Sequence, residues 1–254
     1  MSGTARIAGL YRYPMKGLTP EPLTEAALRP GDCIAWDRAF AIENGTADFD
    51  PAAPKHFPKI KFLMLMRNER LARLRSRFDD ESTTLAISED GRELIRADLM
   101  TPDGRAAIEA FFSTCMKDEL RGVPRLVHAP DFSLSDAPAK LISIINLASV
   151  RALEDVVGRP IDPLRFRANV YVEGLEPWED HEWVGTELRL GGATLKGVFR
   201  TQRCAATNVD PVTAERDMEI PATLQRQWGH MDLGLYTSVV AGGTIRPGDE
   251  LTLA

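Results

Sequence analysis

Apolar and polar residues alternate in short stretches along the first hundred positions of the chain. This alternation is typical of half-buried strands, and continuous apolar runs of about four to eight residues are typical of fully buried ones. A polar loop is predicted at 44–58, and a hairpin is predicted to turn around Asp90 and Gly91. The pattern predicts strands at 6–13, 23–28, 33–42, 61–66, 83–87 and 92–97.

Two helices are predicted in the same half of the chain. Apolar residues three or four positions apart predict the first helix over 68–78. The second helix begins at Pro102, because Thr101 is a favourable N-cap and proline suits the first helical position. Its apolar stripe continues as far as Cys115, so we interpret Cys115 as a packing residue.

The second half of the chain combines one predicted helix with many short strands. A buried strand at 141–146 leads into a helix that Ser149 can cap and Gly158 ends. Short strands with Gly and Pro turns favour a closed barrel over an open parallel sheet. The pattern therefore predicts an α+β fold, predominantly β, with a domain boundary near Gly122. The short strands are predicted at 170–173, 186–190, 193–198, 235–240 and 251–253.

Composition narrows the classes of function. The 254 residues carry a formal net charge of −6, which gives no electrostatic argument for nucleic acid or an anionic membrane as a partner. The three cysteines include no CxxC pair, which argues against a disulfide framework or a zinc ribbon and fits a reducing compartment. No run approaches the ~20 apolar residues of a membrane span, and the start of the chain does not resemble a signal peptide, so we expect a cytoplasmic protein.

Cys204 is the most informative single residue. It lies between Arg203 and a polar turn that includes Asp210 and Pro211. The thiolate is the reactive and metal-binding form of cysteine, and a neighbouring cation favours it. Because the Asp-Pro pair breaks regular structure, Cys204 is predicted at a strand end or in a loop, where a bound group can reach it. The residues alone leave open the alternative of a buried, inert thiol that packs as a small hydrophobe.

The stretch from Arg203 to Thr213 resembles the cysteine motif of MOSC-domain proteins, in particular the branch with the mitochondrial amidoxime-reducing component and its bacterial relatives. The resemblance implies a MOSC N-terminal β-rich domain over 1–121 and a MOSC-type β-barrel with a few helices over 122–254. Further stretches resemble motifs of the same family, and they occur in the family's order: Tyr13-Pro14-Met15-Lys16-Gly17, Gly31-Asp32 with Asp37-Arg38, and Arg165-Phe166-Arg167-Ala168-Asn169.

The resemblance implies a molybdenum-pterin cofactor. Its metal is soft enough to accept a thiolate, and its phosphate needs arginine, lysine or backbone N–H donors. Cys204 is thereby implied as the molybdenum ligand and the catalytic residue. Among the other candidates, Asp210 is expected to fix the turn beneath Cys204. The candidate cofactor-binding residues are Lys16, Arg38, Asn146, Ser149, Arg167, Asn169, Arg203, Cys204 and Asp210.

The implied activity is the reduction of N-hydroxylated compounds such as an amidoxime or a hydroxylaminopurine. No cluster of cysteines typical of a ferredoxin follows the cysteine motif, so electrons are expected from a separate ferredoxin- or cytochrome-type protein. One alternative is a cofactor carrier or sulfur-handling protein that acts through a Cys204 persulfide. A second is a relative that has lost the metal and binds another small anion. The acidic and aromatic segment 176–183 is interpreted as a solvated loop anchored by its tryptophans, because its spacing fits no metal site.

Overall fold

Seven strands drawn from both halves of the chain close into a barrel. The structure is a computed structural model that describes residues 5–45 and 48–254. Residues 1–4, and residues 46–47 of the predicted polar loop, lie outside the described part. In chain order the strands are β1 (Ala5–Arg12), β2 (Glu21–Pro22), β3 (Ala26–Leu28), β4 (Ala41–Glu43), β5 (Arg75–Asp79), β6 (Thr84–Glu89), β7 (Arg92–Asp98), β8 (Arg125–Val127), β9 (Ile142–Asn146), β10 (Val170–Glu173), β11 (Glu187–Leu190), β12 (Ala193–Gln202), β13 (Asp232–Ala241), β14 (Gly243–Ile245) and β15 (Glu250–Leu253).

The barrel follows the order β1-β10-β9-β13-β12-β11-β15 and closes from β15 back to β1. Only the β9–β10 pair is parallel among these barrel contacts. Alternate side chains point inward to a core that includes Ile7, Val172 and Leu235. The first strand of the chain is therefore part of a barrel whose other strands all come from the second half.

A second layer packs beside the barrel. It contains the three-stranded sheet β5-β6-β7 and the pair β4–β8, whereas the pair β3–β14 contributes Ala26, Leu28 and Ile245 to the barrel core. The described residues also contain three α-helices, and none of these helices is long and apolar enough to cross a membrane. The α-helices are α1 (Pro102–Cys115), α2 (Leu147–Val157) and α3 (Ile220–Trp228). Short 3-10 helices occur at Lys59–Lys61, Glu69–Arg73, Lys117–Glu119, Pro163–Phe166, Glu179–Trp183 and Ala205–Asn208.

The predicted fold class is confirmed, because strands dominate and the second half forms most of a barrel. The hairpin of β6 and β7 is also confirmed. Helix α1 begins where predicted, with the Thr101 side chain accepting a hydrogen bond from the backbone N–H of Gly104. Cys115 packs partly against the core beside it. These elements depend on local capping, turn and periodicity signals, which the sequence displays directly.

The predicted helix over 68–78 is wrong, so the first half contains one α-helix instead of two. A 3-10 helix at Glu69–Arg73 is followed by β5, which pairs with β6. Apolar residues three apart fit a 3-10 helix as well as an α-helix, so the spacing did not discriminate between them. Pairing with β6 determines the extended conformation of the residues that follow, Arg75–Asp79.

Two predicted strands are also largely wrong. The stretch 33–42 is a series of turns before β4, because Trp36 and Arg38 have φ values of 65° and 52°. The stretch 61–66 is buried as expected from Phe62 to Leu65, but it forms no regular strand. Helix α3 was not predicted.

Candidate functional site

A cavity of about 480 Å³ lies between the turns of the first half and the barrel. Six of the nine residues predicted from the sequence line it. Lys16 and Arg38 come from the first half of the chain, and the others come from the segments around β10 and after β12. The six residues are Lys16, Arg38, Arg167, Asn169, Arg203 and Cys204.

The cavity is strongly positive although the chain is acidic. Seven cationic side chains and two carboxylates line it, which leaves a formal charge of +5 in a chain of net charge −6. Such a concentration of one sign in a concave site favours an anionic ligand. The cations are Lys16, Arg38, Lys59, Arg165, Arg167, Arg200 and Arg203, and the carboxylates belong to Asp37 and Asp136.

Lys16 is fixed at one wall of the cavity and is only 8% exposed. Its Nζ donates a 2.8 Å hydrogen bond to the backbone carbonyl of Leu134 and forms an ion pair with Asp136. Burial lowers the pKa of Lys16. Burial alone would raise the pKa of Asp136, but the positive charges of Lys16 and Lys59 lower it to about 2. Asp136 is therefore an anion at neutral pH.

Lys59 lies near both this ion pair and the thiol. Its Nζ lies 3.5 Å from Asp136. Burial opposes the charge on Lys59, but the nearby Asp136 and Cys204 raise its pKa. A cation from the first half of the chain thus lines the same cavity as the thiol contributed by the second half.

Arg38 and Arg167 lie on the same aromatic ring. Their guanidinium carbons are 4.2 Å and 4.4 Å from the centroid of Tyr13, whose side chain is fully buried. Arg38 pairs with Asp37 at 2.6 Å, and this carboxylate raises the pKa of Arg38 against the effect of burial. No carboxylate of residues 5–45 or 48–254 forms a salt bridge with Arg167, and burial lowers its pKa. Arg167 is consequently a cation that an incoming anion can pair.

Arg203 and Asn169 use most of their polar atoms within the cavity wall. Arg203 donates to the backbone carbonyls of Leu233 at 2.7 Å and Phe166 at 2.8 Å, which fixes the turn before Arg167. Its Nη2 atom is buried and has no hydrogen-bond partner in the part of the chain that the structure describes, and burial lowers the pKa of Arg203. The Asn169 side-chain oxygen accepts from Ser143, and its amide donates to a backbone carbonyl. Both residues shape the site more than they extend into it.

Cys204 lies two residues after the end of β12, in extended backbone conformation. Its carbonyl accepts hydrogen bonds from both the N–H and the hydroxyl of Thr207, which fixes the start of a 3-10 helix. Its side chain is partly exposed to the cavity. Neither Cys33 nor Cys115 lines the cavity, and burial raises the pKa of each of them to about 11. Of the three cysteines, Cys204 alone is presented to the charged cavity.

Comparison with known proteins assigns the family. Residues 4–123 match the MOSC N-terminal beta barrel domain, and residues 131–252 match the MOSC domain. The chain is a MOSC-domain protein.

Curated relatives match part of this MOSC chain. Mitochondrial amidoxime reducing component 2 of Rattus norvegicus is 30% identical over 122 residues, which cover 43% of the chain and 36% of that protein. Molybdenum cofactor sulfurase of Anopheles gambiae is 32% identical over 128 residues, covering 46% of the chain and 16% of that protein. The matched region thus spans about a third or less of these relatives. Among solved structures, the YUAD protein of Bacillus subtilis aligns over 98% of the chain and 94% of its own, with a TM-score of 0.45 and 14% identity.

Three residues predicted from the sequence do not line the cavity of the MOSC protein. Asn146 is the N-cap of α2, where its side chain accepts from the N–H of Ala148. Ser149, predicted as the cap, instead accepts a 2.8 Å hydrogen bond from the N–H of Trp178. Asp210 accepts from the backbone N–H groups of Val212 and Thr213 in its own turn and from Arg165 at 2.8 Å.

Lys59, Asp136 and Tyr236 also line the cavity and were not predicted. Lys59 begins a short 3-10 helix and Asp136 lies between β8 and β9, and the sequence alone does not distinguish a functional charge at either place from a solvated one. Tyr236 lies on β13 with its ring 5.1 Å from that of Phe199. In the sequence, Tyr236 lies in a strand of alternating apolar and polar residues, where it cannot be distinguished from any other half-buried tyrosine. Burial raises the pKa of Tyr236, so its hydroxyl stays protonated at neutral pH.

The segment 176–183 is not the solvated loop predicted from its composition. Asp180, His181 and Trp183 are buried, and Trp178 packs 4.6 Å from Trp228. Burial raises the pKa of Asp180 to about 6 and lowers that of His181 to about 4. The residues that the structure describes include no group of three or more His, Cys, Asp or Glu side chains able to hold a metal.

Proposed function

We propose that the cavity binds a molybdenum-pterin cofactor and that the loaded protein reduces N-hydroxylated compounds of amidoxime or hydroxylaminopurine type. Electrons would come from a separate ferredoxin- or cytochrome-type protein. The observation that carries this proposal is the position of one accessible thiol in a cavity with a formal charge of +5. The partial similarity to amidoxime reducing components supports it.

The residues of the cavity fit the chemistry of this cofactor. A phosphate monoester is close to a dianion at neutral pH and binds best where cations converge. Arg167 has no carboxylate partner among the described residues, and it lies beside Arg38 on the ring of Tyr13. These two arginines, with Lys16, would hold the phosphate. Cys204 would bind the metal, whose remaining ligands would include the sulfur atoms of the pterin.

The cofactor, when bound, supplies the two-electron chemistry, and the protein supplies binding and orientation. Arg203 holds the Phe166 carbonyl and thereby the turn that carries Arg167. Tyr236 keeps its proton at the hydroxyl and can donate a hydrogen bond to a substrate oxygen in the cavity. Because these groups are fixed by the fold, little reorganisation accompanies binding.

Reduction of benzamidoxime to benzamidine tests the proposal. The protein is purified from cells supplied with molybdate and assayed with an artificial electron donor. Cys204→Ala is expected to abolish turnover, whereas Cys115→Ala, which changes a packing residue outside the cavity, retains it. Turnover by Cys204→Ala equal to that of the unchanged protein would refute the proposal.

A cofactor carrier or sulfur-handling protein is the second candidate, and the similarity to molybdenum cofactor sulfurase favours it. Cys204 would then hold a persulfide or present the cofactor for transfer. Such a protein binds the cofactor and activates a recipient molybdoenzyme, yet it reduces no N-hydroxylated compound with any donor. Measuring both activities on one preparation separates the two candidates.

A further inference from the structure

Asp136 lies in the segment that joins β8 to β9 and crosses from the first half of the chain to the barrel. Its carboxylate forms an ion pair with Lys16 and lies 3.5 Å from Lys59. The segment is fixed nearby, because the N–H of Leu134 donates a 2.7 Å hydrogen bond to the carbonyl of Arg38. The carboxylate is thus held against two of the cations that line the cavity.

We infer that Asp136 is the internal counter-ion of the cavity and competes with the phosphate of a ligand for Lys16 and Lys59. The inference deepens the proposed function, since it concerns the same site, but it depends only on a phosphate-bearing ligand. Asp136 thereby sets the affinity of the site for phosphate esters.

The donors available at Lys16 support this competition. An ammonium group has three N–H donors. In Lys16, one binds the Leu134 carbonyl and one binds Asp136. A phosphate oxygen that approaches Lys16 closely must therefore displace the carboxylate or share the ammonium with it. Sharing brings like charges together, and displacement breaks an ion pair, so both routes weaken phosphate binding.

The exposure of the carboxylate makes displacement feasible. The side chain of Asp136 is 45% exposed, whereas that of Lys16 is 8% exposed. Asp136 can rotate into water and remain solvated, but Lys16 cannot leave the wall. Asp37, the other carboxylate of the cavity, is 3% exposed and is held by Arg38 and by the N–H of Tyr13. Of these two carboxylates, Asp136 is the one that a ligand can displace.

Equilibrium binding of phenyl phosphate and of inorganic phosphate at pH 8 tests the inference, with the full chain purified without molybdate. Asp136→Asn should bind phenyl phosphate ~10-fold more tightly than the unchanged protein, because one negative charge near the phosphate is removed. Asp136→Ser serves as a second variant and should give the same gain. Asp131→Asn is the matched control, since it removes the same charge from an exposed position in the same segment, and it should change affinity less than ~2-fold.

Unchanged or weaker binding of phenyl phosphate by both Asp136 variants would overturn the inference and would indicate that Asp136 positions Lys16 for the ligand. A gain confined to inorganic phosphate would overturn the assignment to an ester. The titration uses neither molybdenum nor an N-hydroxylated substrate. Its outcome is therefore independent of whether the proposed reductase activity is found.

Discussion

Arg38 donates a 2.7 Å hydrogen bond from its Nη2 atom to the backbone carbonyl of Arg167, 129 positions later in the chain. The same guanidinium binds Asp37, and both arginines lie against the ring of Tyr13. The two cations are thus fixed relative to each other before any ligand is bound. Such preorganisation reduces the entropic cost of binding an anion.

Replacing Arg38 with lysine tests this connection between the halves. Lysine keeps the charge but loses the planar fork that serves Asp37 and the Arg167 carbonyl together. We expect the free energy of unfolding in urea to fall by about 1–3 kcal/mol, the usual cost of a lost hydrogen bond to a charged group. Arg77→Lys, on the exposed face of β5, is the control and should change it by less than about 0.5 kcal/mol. Equal stability of the two variants would show that the paired contacts of the Arg38 guanidinium do not contribute to the stability of the fold.

Arg167 and Arg165 should respond in opposite ways to substitution by methionine. Arg165 pairs with Asp210 and Asp217 at 2.8 Å, so Arg165→Met removes a buried cation from two partly exposed carboxylates and should cost about 1.5–3 kcal/mol in unfolding free energy. Arg167 has no salt bridge within the described residues, so Arg167→Met should leave stability unchanged or higher by about 1 kcal/mol. It should nevertheless weaken phenyl phosphate binding by at least ~10-fold. Urea unfolding and ligand titration measure the two effects. A destabilised Arg167→Met protein with normal phosphate binding would contradict this assignment.

Gly234 allows the guanidinium of Arg203 to approach the barrel. It has a φ of +91°, and an added Cβ would lie 2.5 Å from the carbonyl oxygen of Ile144 and 2.9 Å from Nη2 of Arg203. Gly229 has a similar φ of +76° but open space at the same point. Gly234→Ala should therefore reduce the unfolding free energy by at least about 2 kcal/mol more than Gly229→Ala, because it adds overpacking to the same backbone strain. Equal losses in thermal or urea unfolding would exclude a close contact at Gly234.

Asp180 predicts a dependence of stability on pH. Burial raises its pKa in the folded protein to about 6 from an ordinary value of 3.8. A raised folded-state pKa means that the stability contributed by this group is complete below pH 3.8 and is lost as the pH rises to about 6. Asp180→Asn should thus become more stable relative to the unchanged protein between pH 4 and 7, by up to about 3 kcal/mol.

Unfolding free energies measured in urea at several pH values check this prediction. Asp155→Asn, exposed on α2, is the control for removal of one carboxylate from the surface. A constant difference for Asp180→Asn would indicate that its carboxyl is ionised in the folded protein throughout.

Sequence patterns predicted those elements whose signals are local. Thr101 and Pro102 marked the start of α1, and alternating residues marked β6 and β7. The N-cap of α2 was predicted at Ser149, but the structure has Asn146 in that position. Both side chains suit an N-cap, and only packing selects between them. The errors occur where tertiary contacts determine the backbone.

The residues of the candidate site were likewise predicted only in part. Motif resemblance located Cys204, Lys16, Arg38 and Arg167, and the structure places all four in one cavity. It gave no indication of Asp136 or Lys59, because an isolated charged residue becomes informative only when its partner is known. Lys16 and Asp136 are 120 positions apart, and their pairing follows from the fold alone.

Molybdenum content is the most direct test of the central claim that Cys204 binds a molybdenum cofactor in this cavity. The full chain, Cys204→Ala and Cys115→Ala are purified from cells supplied with molybdate, and metal per chain is measured by mass spectrometry. Close to one molybdenum atom per chain is expected in the unchanged protein and in Cys115→Ala, and almost none in Cys204→Ala. Absence of molybdenum from the unchanged protein, or its full retention in Cys204→Ala, would contradict the claim.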